Sequence, residues 1–108
     1  MSTTDEDEIR ARYASCLQEL YCDFAAGEYA GKHDARTRFF EDYISKTPGG
    51  NTHPEGRMRL LYYTAGKELS SSDPLRRFVP SQLNPGYQRR KAELLDQLQA
   101  YFTEEFIP

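Results

Sequence analysis

Apolar side chains recur along this chain at the three- and four-residue spacing of a helix. Ile9, Tyr13, Cys16, Leu17, Leu20, Tyr21 and Phe24 form one stripe, with Arg10, Arg12, Gln18, Glu19 and Asp23 between them. The spacing predicts a helix over residues 7–26, stopped by Gly27. Ahead of it, residues 1–8 carry four acids and read as a flexible acidic tail that feeds negative charge into the helix start, leaving residues 9–108 as a single helical domain. A short connection through Tyr29, Gly31 and His33 leads to Asp34, a candidate cap for a second helix with Ala35, Phe39, Phe40, Tyr43 and Ile44 on its apolar side. Residues 46–54 hold two prolines and two glycines and predict a loop. A third helix follows over about residues 55–69, with Met58, Leu61, Tyr62, Ala65 and Leu69 as its stripe and Gly66 weakening its last turn.

Two start signals come next. Asp73-Pro74 opens a short element that Pro80 closes, and Asn84-Pro85 opens the last helix, with Tyr87, Leu94, Leu95, Leu98, Tyr101, Phe102 and Phe106. The pattern therefore predicts an all-α fold: a small bundle of three to four main helices with a short helical connector. Composition agrees with it. One valine and three isoleucines stand against ten leucines and nine alanines, the balance of a helical chain.

The 108 residues have room for one domain, but only 20 of them are Leu, Ile, Val or Phe. A net charge of −3 and eight tyrosines argue for a folded chain despite that thin apolar supply. Fourteen aromatic residues exceed what a bundle this small hides easily, which suggests a homodimer through the ends of the first and last helices. Cys16 and Cys22 fall about 240° apart around one helix, so they cannot pair with each other and read as free thiols in a reducing compartment. No apolar run approaches ~18 residues and the N-terminus lacks an apolar leader, so a cytoplasmic protein away from the membrane is expected.

Enzyme signatures are missing from the sequence. It has no phosphate-binding glycine loop, no CxxC, no HExxH and no nucleophile-elbow serine. His33 and His53 sit in predicted loops, and a metal site would need both of them beside Asp34 or Glu55, which no spacing demands. The pairs Glu41-Asp42 and Glu104-Glu105 read as solvated surface. Neither an enzyme, a cofactor nor a metal centre is expected.

Charge is the one asymmetric feature. Residues 57–91 carry eight basic residues against Glu68 and Asp73, a local excess of +6 that leaves −9 on the rest of the chain. Arg76-Arg77 and Arg89-Arg90-Lys91 follow the two proline start signals, where cations oppose the helix dipole and an anion would be welcome. Arg57, Arg59, Arg76, Arg77, Phe78, Tyr87, Arg89, Arg90 and Lys91 are therefore the candidate partner-binding residues. The expected function is that of a small regulatory or adaptor protein that docks on an acidic protein surface. The alternative is a nucleic-acid-binding protein using the same residues on phosphates, which a sequence pI of 5.4 disfavours. As a merely solvated face, the same cations would pair internally with Asp5 to Glu8 or with Glu104 and Glu105.

Overall fold

The protein is described by a computed structural model covering residues 3–50 and 53–106. The described residues form four α-helices: α1, Thr3–Lys32; α2, Arg38–Ser45; α3, Gly56–Ser71; and α4, Pro85–Phe106, with a 3-10 turn at Ser81–Leu83 before α4. No strand occurs among the described residues, so the all-α bundle with a short helical connector is what the chain forms.

α1 is longer at both ends than the periodicity predicts. The acidic stretch expected to be a flexible tail is helical from Thr3, with Asp5 and Glu6 in the first turn, where the dipole favours them. At the other end the helix runs through Gly27 and Gly31 to Lys32. Neither glycine, nor any other described one, has a positive φ. Their role is close approach. A Cβ on Gly27 would lie 2.0 Å from the Tyr63 carbonyl oxygen, and one on Gly31 would lie 2.3 Å from that of Lys67. Across the seam, a Cβ on Gly66 would lie 2.2 Å from the Phe24 carbonyl oxygen. Glycines that read as a stop, a loop residue and a weak turn are thus the surfaces on which α1 and α3 touch backbone to backbone.

The two helices run parallel, since residues 23, 27 and 31 meet 59, 63 and 67 in the same order. The return is made by α2, which lies antiparallel to α3 with Phe40 against Tyr63 and Lys67 reaching back to Thr37 and Glu41. α1 ends in a Schellman turn in which the Ala35 amide donates to the Ala30 carbonyl. Asp34 takes the left-handed position of that turn, φ 50°, so it closes α1 instead of capping α2. α2 begins at Arg38 and buries only Ile44; Phe39 is 90% exposed and Tyr43 65%.

α4 packs antiparallel to α1. Its start is the one the Asn-Pro signal predicts, with the Tyr87 amide donating to the Asn84 side-chain oxygen at 3.2 Å. Asp73-Pro74, by contrast, opens only a single turn. Five residues lie between Pro74 and Pro80, and the segment is spent on bonds from the Phe78 and Val79 amides to the Leu75 carbonyl. The principal core joins α1, α3 and α4 through Cys16, Leu20, Phe24, Tyr62, Leu69, Tyr87, Leu98 and Phe102. A smaller core of Ala30, Ile44 and Tyr63 holds α2. Between α1 and α4 a polar layer fixes the register: the Tyr21 hydroxyl donates to Gln99, the Gln99 amide donates to the Tyr13 hydroxyl, and Tyr13 bonds Thr103.

Candidate functional site

The basic segment does not fold into one surface. Arg57 and Arg59 stand in the first turns of α3, whereas the residues after Asp73 gather beyond its other end, about 20 Å away at 1.5 Å per residue. Arg59 is internal. Its Nε and Nη2 donate to both oxygens of Asp23, at 3.0 and 3.1 Å, and Glu19 lies 3.7 Å from its Nη1. Asp23 is only 5% exposed. Burial pushes its carboxyl up and the Arg59 fork opposes that push. The same fork raises the guanidinium's own pKa. Arg57 is exposed and bonded to its neighbour Glu55 at 3.0 Å.

At the far end, Arg76, Arg77, Arg90 and Lys91 are each held by a carboxylate around the close of α1 and the start of α4, with Phe78 and Arg89 exposed on the same stretches of chain. Asp73, buried, is the hub. One oxygen accepts from the Leu75 amide and lies 3.9 Å from Arg90, while the other accepts from Asn84. Asp34 is clamped by both Arg76 and Arg77, whose guanidinium groups hold its carboxyl below the usual carboxylate range. A carboxylate at the C-terminal end of α1 opposes the helix dipole, and two guanidinium groups offset that. Glu28 binds Lys91 at 3.0 Å and accepts the Tyr87 hydroxyl at 2.5 Å. Tyr87 is thereby a core residue, 2% exposed, its phenol pushed up first by burial and then by Glu28. Lys91 also lies 6.0 Å from the Phe24 ring.

Much of the basic charge at this end is thus answered from within: Glu28, Asp34 and Asp73 supply the partners. Two of the three lie outside residues 57–91, and only the meeting of α1 with the connector brings them in. Arg89 is the exception: it is exposed, with no carboxylate in salt-bridge range among the described residues. Beside these cations stand three exposed apolar side chains, of which the sequence argument identified only one: Phe78 at 81%, Leu83 at 71% and Leu75 at 44%. A cleft of about 340 Å³ opens next to them, lined by Glu28, Tyr29, Lys32, Arg76, Gln88 and Lys91 among others.

A second groove, of about 320 Å³, lies at the opposite end between α1, α3 and α4, with Arg12 and Arg57 at its rim and Met58, Leu61, Phe102 and Phe106 in its wall. Cys16, on its floor, is buried and its thiol is pushed up by that burial, which makes it a poor nucleophile. Cys22 is exposed, and both thiols are free. The His33 ring lies tilted against that of Tyr29 near the end of α1, and His53 bonds Glu19 about 21 Å back along the same helix. No group of three or more His, Cys, Asp or Glu among the described residues could hold a metal ion. No helix of the described residues is long and apolar enough to cross a membrane. Searches against protein-family models, curated proteins and solved structures give no match to this chain.

Proposed function

We propose that the protein is a binding module that docks an acidic protein partner through the end formed by the connector and the start of α4. One observation carries this reading. Leu75, Phe78 and Leu83 are exposed on the same stretch of chain as Arg76, Arg77, Arg89 and Arg90. Apolar anchors ringed by guanidinium groups have the composition of an interface centre and its rim. The same combination favours protein over nucleic acid: two of the three anchors are leucines, which cannot stack on bases, and Glu28, Asp34 and Asp73 would repel phosphates. Regulatory or adaptor work in the cytosol is the role that fits such a module, and two free thiols, one exposed, fit a reducing compartment.

The test is a capture experiment with residues chosen for what they do not support. Arg76 and Arg77 hold Asp34, so reversing them would disturb the turn that closes α1. Arg89→Glu, and separately Phe78→Ser, change exposed side chains and leave the helices intact. A protein recovered by the wild type and lost by both variants supports the reading. Recovery that is unchanged in both overturns it. Recovery of nucleic acid instead, falling steeply with salt and indifferent to Phe78→Ser, replaces it with phosphate binding.

A further inference from the structure

One face of α1 is turned to solvent along its whole length and carries no charge at its centre. Ala11, Ala14, Ser15, Gln18, Cys22, Ala25, Ala26 and Tyr29 are all exposed. At ~100° per residue they fall within an arc of about 120°, on the side of the helix away from the glycine seam. The chain is 29% charged, yet none of these eight residues is. The exposed face of α4 follows the ordinary rule, with Arg89, Arg90, Glu93, Asp96, Glu104 and Glu105 along it. Extended in both directions, the α1 face becomes charged with opposite signs: Asp7 and Glu8 continue it toward the N-terminus, and Lys32 continues it at the C-terminal end with His33 just past it.

We infer that this face pairs with the same face of a second copy, the two α1 helices running antiparallel about a two-fold axis near residue 20. The occupant follows from how the pattern inverts about that point. Such an axis sets each flank of the face against the same flank of the second copy, with residue numbers that sum to about 40 at one height, so Asp7 meets Lys32 of the second copy and Glu8 meets its His33. Ala11, among the smallest side chains of the face, meets Tyr29, the largest and itself 68% exposed. Ala14 meets Ala25, Ser15 meets Ala26, and Gln18 meets Cys22. A parallel pairing would set acid on acid and base on base. A two-fold antiparallel pairing sets every unlike pair together twice, which is the self-complementarity an isologous interface requires. The contacts cannot form within one chain, because a continuous helix holds residues 7 and 32 about 38 Å apart. Small side chains at the centre let the two backbones approach, as Gly27, Gly31 and Gly66 do between α1 and α3. Of the α1 residues used, only Tyr29 and Lys32 also line the cleft beside the connector, and the Asp7 and Ala25 variants leave the acidic-partner surface unchanged.

Sedimentation equilibrium of the full chain across about 1–100 μM, the range in which a small interface dissociates, tests the proposal. The wild type is expected as a dimer at the upper end of that range. Asp7→Lys alone and Lys32→Glu alone each weaken it by about tenfold or more, because the axis doubles every like-charge contact. Asp7→Lys combined with Lys32→Glu restores it, and Ala25→Glu, within the uncharged part of the face, abolishes it. Circular dichroism on each variant confirms that the helices are retained, as expected for exposed positions. A wild type that is monomeric throughout overturns the proposal. So does a dimer indifferent to Ala25→Glu, or a charge swap that fails to restore association.

Discussion

Replacing Gly27 by alanine adds one methyl group, and the structure makes it costly. The new Cβ would sit 2.0 Å from the Tyr63 carbonyl oxygen and 2.9 Å from the Lys67 amide nitrogen. Both obstacles are backbone atoms of α3, so no rotamer change can clear them. Ordinary contact needs about 3.4 Å, and α1 and α3 must part by more than 1 Å along a seam that Gly31 and Gly66 also set. Overpacking of this kind typically costs about 1–3 kcal/mol, and an immovable neighbour argues for the upper end. Alanine returns about 0.5–1 kcal/mol through its better helix propensity. The net expectation is a loss of about 2 kcal/mol, or a fall of roughly 8–15 °C in Tm for a domain this size. Thermal and urea unfolding followed by circular dichroism measure it. Gly86→Ala is the internal control, since its Cβ meets nothing closer than side-chain atoms at 3.5 Å. That change should be neutral or stabilising by up to about 1 kcal/mol. If Gly27→Ala melts at or above the wild type, the backbone-to-backbone seam is refuted.

The buried Asp23–Arg59 pair predicts an asymmetry between single and double variants. Arg59→Met leaves the Asp23 carboxylate buried without its fork and should cost about 3–5 kcal/mol, whereas Arg59→Met with Asp23→Leu should recover most of the loss; urea midpoints in which the double variant is as unstable as the single would count against the pair. Stability should also fall at alkaline pH. Burial pushes the Tyr62 and Tyr87 phenols up, so the folded chain keeps protons that the unfolded chain releases near pH 10. The stabilisation is full below about pH 10 and declines above it, by up to about 1.4 kcal/mol per pH unit for each phenol. Tyr62→Phe should reduce that slope without weakening the fold at neutral pH, because the Tyr62 hydroxyl is buried with no hydrogen-bond partner among the described residues; an unchanged slope between pH 9 and 11 would contradict the assignment.

The candidate site was legible in part. Arg76, Arg77, Phe78, Arg89, Arg90 and Lys91 follow two proline start signals that stand eleven residues apart, and four of them, Arg76, Arg77, Arg90 and Lys91, are held by carboxylates around the close of α1 and the start of α4. Arg59 and Tyr87 had the same local credentials and turned out internal. Nothing in their own segments distinguishes them, because what claims them is Asp23 and Glu28 on a different helix. Phe39 and Tyr43 err in the opposite sense: both belong to the apolar stripe of α2, yet α2 packs on α3 through so short a contact that only Ile44 is covered. An eight-residue helix has two turns, too few to bury a full stripe.

What the sequence determined by itself was local. Leucine and alanine in place of valine and isoleucine, apolar positions three and four apart, and an asparagine before proline at 84–85 are instructions read within a few residues, and they specify helices and one of their starts. The course of α1 was not local information. A glycine's sequence neighbours say only that it can break a helix; whether it does, or instead admits another backbone, depends on what lies across from it. Here α3 lies across from Gly27 and Gly31, and the energy gained by that approach outweighs the ~1 kcal/mol that each glycine costs the helix. The same held for charge. Summing residues 57–91 gave the excess correctly, but Coulomb attraction acts over a few ångströms of space and not of sequence, so only the tertiary structure decided which cations are answered by Glu28, Asp34 and Asp73 and that Arg89 is left facing outward.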